Sequence, residues 1–249
     1  MRVTISLLST PPRGVAALVG TVATALALAA CSSSGSAPTP APAPAPTSAA
    51  DLVSRARSTL DKASSVHFVL SGEGVPENAD VLLGGEGDVA RPDRFGGVLN
   101  VRVSGVQATI AVVAVGGTVY AKLPFSARYE VTDPKKFNIP DPGSFLSPET
   151  GLTQLLARAT AVTGGGQSRV GNTVVQEVTA QLPGQVVDRF LRTADPATAV
   201  RATFRIDPST GRLRAATLVG PFFAVGTDST YTLALSRYDE PVDIQAPAG

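Results

Sequence analysis

Beyond residue 48, apolar residues recur at the spacing of a helix face. Leu52, Ala56, Leu60 and Ala63 fall on one side, with Arg55, Ser58 and Lys62 elsewhere. This pattern predicts an amphipathic helix over residues 50–63. Ser48 stands where an N-cap belongs, and Asp51 lies near the positive end of the helix. From Val66 the period falls to two: Val66, Phe68 and Leu70 alternate with His67, Val69 and Ser71. Further strands are expected over 79–89, 95–104, 107–115 and 118–123. Leu99, Val101 and Val103 share one parity against Asn100, Arg102 and Ser104, which describes a strand with one wet face. Gly105 and Gly116-Gly117 fall where tight turns would join neighbours.

The pattern then breaks. Pro124, Pro134, Pro140, Pro142 and Pro148 interrupt any regular element. Leu152, Leu155 and Leu156 predict a helix over 150–161, ended by Gly164-Gly165-Gly166. Strands follow over 172–181, 199–206, 211–219 and 229–238, with a short helix over 185–191. Asp207-Pro-Ser-Thr-Gly211 reads as a hairpin turn. The sum is an α+β fold, one long antiparallel sheet with a few helices on one face. A sheet this long has to curl, and helices on its concave side either fill it or roof a cavity.

The N-terminal end follows a different logic. Arg2 and Arg13 precede an apolar run over 15–28, and Leu28-Ala29-Ala30-Cys31 has the form of a bacterial lipobox. The run is shorter than the roughly 20 residues that a spanning helix needs. Cys31 is the only cysteine, so it has no disulfide partner within the chain; its thiol suits a diacylglyceryl group and its amine the mature terminus. Residues 1–30 are therefore expected to be a lipoprotein signal peptide. Residues 31–48 are expected to be the lipidated cysteine and a Pro/Ala/Ser-rich tether, and 49–245 the folded domain. The extended tether reaches up to roughly 50 Å at about 3.1 Å per residue. The expected location is the outer face of the plasma membrane, facing the periplasmic side.

Charge excludes one class of partner. The chain carries 21 basic and 20 acidic side chains, and two of the basic ones leave with the signal. Nothing in that balance supports nucleic-acid binding. Apolar residues make up 43% and charged ones 16%, a composition that fits either a filled β-rich core or a lined cavity.

Catalytic groups are scarce. His67 is the only histidine, so any serine triad must use it, and no Gly-x-Ser-x-Gly elbow supplies a nucleophile. A structural role for His67 on its strand is the simpler reading. Zinc would normally require several Cys and His, and Glu73, Glu77 and Asp80 do not have the spacing of an EF-hand. No metal, cofactor or enzymatic activity is expected. Lys122, Arg128, Lys135 and Lys136 cluster in the central loops, either as solvated surface or as contacts for an anionic head group.

One stretch carries a resemblance. Asp141-Pro-Gly-Ser-Phe-Leu-Ser-Pro-Glu-Thr-Gly-Leu152, followed by Leu155-Leu156, resembles a segment of the mycobacterial lipoprotein family that contains LppX, LprA, LprF and LprG. Gly117-Thr-Val-Tyr-Ala121 and Ser65-Val-His67 are similar to other family positions, while 124–140 departs from the family pattern. The resemblance implies a strongly curved antiparallel half-barrel with helices on its concave face enclosing an apolar cavity. It implies an acylated lipid or glycolipid as cargo: a triacylated glycolipid, a phosphatidylinositol mannoside or a triacylglycerol-like molecule. It also implies attachment to the membrane through diacylglyceryl-Cys31, palmitate among the acyl chains, and an efflux transporter as partner. Leu99, Val101 and Val103 are candidate lining residues on one strand. Phe68, Leu70, Ile110 and Val112 are further candidates from the sheet, and Leu152, Leu155 and Leu156 from the helix. The alternative is an envelope scaffold or sensor partner with a filled core and no lipid cargo.

Overall fold

The first element among the described residues is a helix that the sequence caps at both ends. A computed structural model describes residues 47–77, 79–137, 140–191, 195–224 and 226–248, so the signal, Cys31 and all but the end of the tether lie outside the described residues. Helix α1 spans Ala49–Lys62, and its Asp51 N–H donates to the Ser48 hydroxyl at 3.1 Å. Leu52, Val53, Ala56 and Leu60 are its buried stripe. At the other end Arg91 donates to the carbonyls of Asp61 and Ala63, both at 2.8 Å. A cation there satisfies orphan carbonyls and complements the helix dipole.

Among the described residues, eleven strands form one antiparallel sheet. The first run is Ser65–Glu73 (β1), Val81–Ala90 (β2), Arg94–Val103 (β3), Val106–Val115 (β4), Thr118–Lys122 (β5) and Glu130–Val131 (β6). The second is Thr160–Val170 (β7), Thr173–Leu182 (β8), Val200–Ile206 (β9), Leu213–Ala224 (β10) and Thr227–Ser236 (β11). Each run is a meander of neighbours in sequence. The spatial order is β6-β5-β4-β3-β2-β1-β11-β10-β9-β8-β7. The first and last strands of the domain therefore join the two meanders, with Phe68 opposite Leu235 and Leu70 opposite Leu233. The sheet does not close, because β6 and β7 stand at opposite edges.

That order dictates where the remaining elements go. β6 and β7 follow each other in the chain but form the two edges of the sheet, so residues 132–159 must cross from one edge to the other. The crossover carries a 3-10 turn at Pro142–Leu146 and helix α2 at Thr153–Ala157. The turn packs on β2, β3 and β4, and α2 packs on α1 and on helix α3, Gly184–Leu191. Buried residues of α1, of the crossover and of one sheet face belong to a single apolar cluster.

Two expectations are corrected. The helix expected over 150–161 is only five residues long, and Gly164–Gly166 do not end it: they lie inside β7. The run Thr160-Ala-Val-Thr163 holds the stiff β-branched residues that favour a strand, and Gln176 Nε2 donates to the carbonyls of Gly165 and Gly166. The wet parity of β3 also fails at its end. Arg102 is buried and donates to the Pro76 carbonyl at 2.8 Å, while Val103 is 39% exposed beside the turn.

The β9–β10 connection behaves as its sequence demands. The Gly211 N–H donates to the Asp207 carbonyl at 2.8 Å, and Gly211 takes a φ of 71°. Partial desolvation raises the Asp207 carboxyl, but hydrogen bonds from Ser209 and Thr210 outweigh it and hold the pKa down to about 2. A depressed carboxyl pKa contributes stability above the unfolded value and loses it as pH falls through the folded one. Asp207→Asn should therefore be less stable than wild type near neutral pH, and the gap should close by about pH 2. Denaturant titrations of both proteins across that range check this.

Candidate functional site

Between the sheet and the crossover lies an apolar void. From the sheet it is lined by Phe68 and Leu70 of β1, Leu82 of β2, Leu218 of β10, and Tyr231 and Leu233 of β11. From the other side it is closed by Phe145, Leu152 and Leu155 of the crossover and by Phe190 and Leu191 of α3. Register explains the sheet wall: Leu70, Leu233 and Ala216 stand opposite one another in adjacent strands, as do Leu218 and Tyr231. Among the described residues, no charged side chain lines the void. Its one polar handle there is the Tyr231 hydroxyl, which donates to the Leu82 carbonyl at 3.0 Å. Burial pushes the Tyr231 pKa well above its ordinary value, so the phenol stays neutral at any working pH.

A second apolar void lies farther along the same face. Leu99 and Val101 of β3, Ile110 and Val112 of β4, and Val119 and Ala121 of β5 line it beneath Pro134 and Pro142. The free volumes are about 60 Å³ for the first void and about 20 Å³ for the second. Pockets that hold small ligands usually run to about 300–1,000 Å³. The interior is thus close to filled.

Outside the larger void lies an open hollow of about 400 Å³, where Lys135, Asp141, Asp188 and Arg189 stand beside Pro140, Phe145 and Phe190. Phe145 and Phe190 belong to both spaces and separate them. The Phe145 ring is held edge-on by Phe68 and Phe95, at centroid distances of 6.1 and 6.4 Å. It is only half-buried, unlike Phe95, whose ring is fully enclosed.

The crossover positions Phe145 through its own backbone. The Asp141 carboxylate accepts the Gly143 N–H at 2.9 Å and starts the 3-10 turn. The Leu152 N–H then donates back to the Phe145 carbonyl at 2.9 Å, and the Gly151 N–H to the Ser147 carbonyl at 2.7 Å. A Cβ on Gly151 would collide with both those carbonyl oxygens. Gly151→Ala should therefore cost about 1–3 kcal/mol, as overpacking does, and thermal unfolding would show it.

The ten candidate lining residues separate into groups. Phe68, Leu70, Leu152 and Leu155 meet at the larger void, and Leu99, Val101, Ile110 and Val112 at the smaller. Leu156 is buried toward α1, near Val53, and Val103 stands in partial solvent away from both voids. Sequence reasoning missed Phe145, Phe190, Leu218, Tyr231 and Leu233. The alternation of Tyr231 and Leu233 with Thr230 and Thr232 was the available signal for the last strand.

His67 lies elsewhere. Its Nδ1 is 2.9 Å from Asp88 across the β1–β2 pair, and Arg237 touches both groups. Among the described residues no group of three or more His, Cys, Asp or Glu is placed to hold a metal, and no helix is long and apolar enough to cross a membrane.

Residues 48–244 match the profile of the LppX_LprAFG lipoprotein family. The fold is similar to the crystal structure of LprF from Mycobacterium bovis, with 18% identity, a TM-score of 0.70, and coverage of 81% of this chain and 97% of that one. It is also similar to the Mycobacterium tuberculosis lipoprotein LppX, with 18% identity, a TM-score of 0.57, and coverage of 79% and 98%. A sequence comparison with curated proteins gives no match.

Proposed function

The chain belongs to the LppX_LprAFG lipoprotein family, and from that premise we propose that it binds acylated lipids or glycolipids and carries them through the cell envelope. Diacylglyceryl-Cys31 anchors it to the outer face of the plasma membrane, residues 32–48 hold the domain off that surface, and the sheet acts as a half-barrel around the cargo. The observation that carries this reading is the uncharged space between sheet and crossover, separated by two aromatic rings from an open hollow that holds charged side chains. Acyl chains need only apolar walls, and a head group needs polar contacts at the mouth. Phe145 and Phe190 are the rings that must swing aside. Leu99, Val101, Ile110 and Val112 then extend the site beneath the crossover, as a long chain requires.

The small free volume favours a second reading, a scaffold lipoprotein whose core is filled. Native mass spectrometry separates the two. The mature lipoprotein, purified from an actinobacterial host, should carry adducts of lipid mass that organic solvent removes. A clean mass, together with no uptake of added phosphatidylinositol mannoside, would leave the scaffold standing. Loss of membrane attachment in Cys31→Ser tests the anchor separately.

A further inference from the structure

The loop that joins β5 to β6 carries apolar side chains that stand in solvent. Phe125, in the loop after β5, is 103% exposed. Leu123 precedes it and Val131 follows on β6, both exposed as well. An isolated exposed apolar residue has no special meaning, but Leu123 and a whole phenyl ring two residues on stand together in one short loop between β5 and β6.

Charge gives the patch its chemistry. Lys122, Arg128 and Lys135 lie in the same segment, and none is in an ion pair among the described residues. Two carboxylates, Glu130 and Asp133, share the segment, and Asp133 is engaged by the Lys135 N–H at 3.0 Å. Three cations stand against two carboxylates there, and Lys122 and Arg128 flank the exposed ring in sequence. An aromatic tip with cations beside it matches the boundary between acyl chains and anionic head groups. A protein partner would require about 1,000 Å² of complementary surface, which one ring and two aliphatic side chains do not supply. A bilayer only has to admit the ring.

We propose that the segment from Leu123 to Val131 docks the domain on an anionic lipid bilayer, with Phe125 inserted and Lys122, Arg128 and Lys135 on head-group phosphates. Lys135 also lines the open hollow outside Phe145 and Phe190. Docking by this segment therefore turns the hollow toward the lipid surface. A contact this small is weak by itself, but a tethered domain meets the surface at high effective concentration.

The chain has no tryptophan, so Phe125→Trp introduces a single indole. The mature lipoprotein carrying it is mixed with vesicles of phosphatidylcholine and phosphatidylglycerol. Val174→Trp, exposed on β8, serves as the control. The expected result for Phe125→Trp is a blue shift of the indole emission, quenching by brominated acyl chains and protection from iodide, with the control still water-like. Adding Lys122→Glu, Arg128→Glu and Lys135→Glu should return the indole at position 125 to water. Water-like emission from Phe125→Trp protein that floats with the vesicles would overturn the proposal, as would an equal shift in the Val174→Trp control. Position 125 lines neither void, so this result is independent of whether lipid adducts are found.

Discussion

Leu70→Trp should reduce lipid uptake more than tenfold while leaving the domain folded. Leu70 is half-buried on β1, and its side chain meets Leu233 across the β1–β11 pair at the wall of the larger void. That void has about 60 Å³ of free space, enough to take much of the added bulk of an indole. Overpacking usually costs about 1–3 kcal/mol, and filling a void offsets part of it. Val69→Trp is the matched control, because Val69 is on the opposite face of the same strand and 42% exposed. It should take up lipid as wild type does. Leu99→Trp or Val101→Trp is a poorer probe: the void beside them has only about 20 Å³, so unfolding would be confused with blockage. A fluorescent acyl-lipid uptake assay with thermal melts on the same samples decides the matter. Normal uptake by Leu70→Trp would place the cargo elsewhere.

Phe95→Ala should show the largest loss of stability. The ring is fully buried on β3, 5.6 Å from Phe68 and 6.4 Å from Phe145 by centroid. Removing such a ring costs about 3–5 kcal/mol. At about 2–4 °C per kcal/mol for a domain of this size, the midpoint should fall by roughly 6–20 °C. Phe95 also supports Phe145, so its loss frees the wall between hollow and void. Added glycolipid should then raise the midpoint of the variant more than that of wild type, because a ligand stabilises in proportion to how well it binds the folded state. A fall of less than about 1 kcal/mol would remove Phe95 as the support of that wall.

The sequence makes local structure legible and leaves long-range structure hidden. Helix α1 is visible because Leu52, Ala56 and Leu60 repeat at helical spacing behind a capping serine. Most strands are visible because period-two alternation needs only neighbours in sequence. β7 is not: Gly164–Gly166 read as a helix stop, while the pairing that makes them a strand comes from β8. The same holds for Gly87 and Gly97. They face each other across β2 and β3, where a Cβ on Gly97 would strike the Glu86 carbonyl, and nothing beside either glycine in sequence reveals it. The lining residues of β1, β3 and β4 are legible as apolar and inward, since parity fixes that as far as Val101, though not for Val103 at the strand end. Their division into two small voids is not, because a filled core and a lined cavity have the same composition. Phe190 is hidden because nothing local reveals which face of α3 meets the crossover.

The pairing of the first and last strands governs how the domain is made. A chain synthesised from its N-terminus completes β1 long before β11 exists, and the inner edge of β1 has no other partner in the sheet. Phe68 and Leu70 wait on that edge for Leu235 and Leu233. At ordinary rates of synthesis the interval is about 8–30 s. An unpaired apolar strand edge is a template for aggregation during that time. Each meander can assemble locally, yet neither can finish until residue 236 has emerged. Changes in the last strand should therefore lower the yield of folded protein more than they lower the stability of the molecules that do fold.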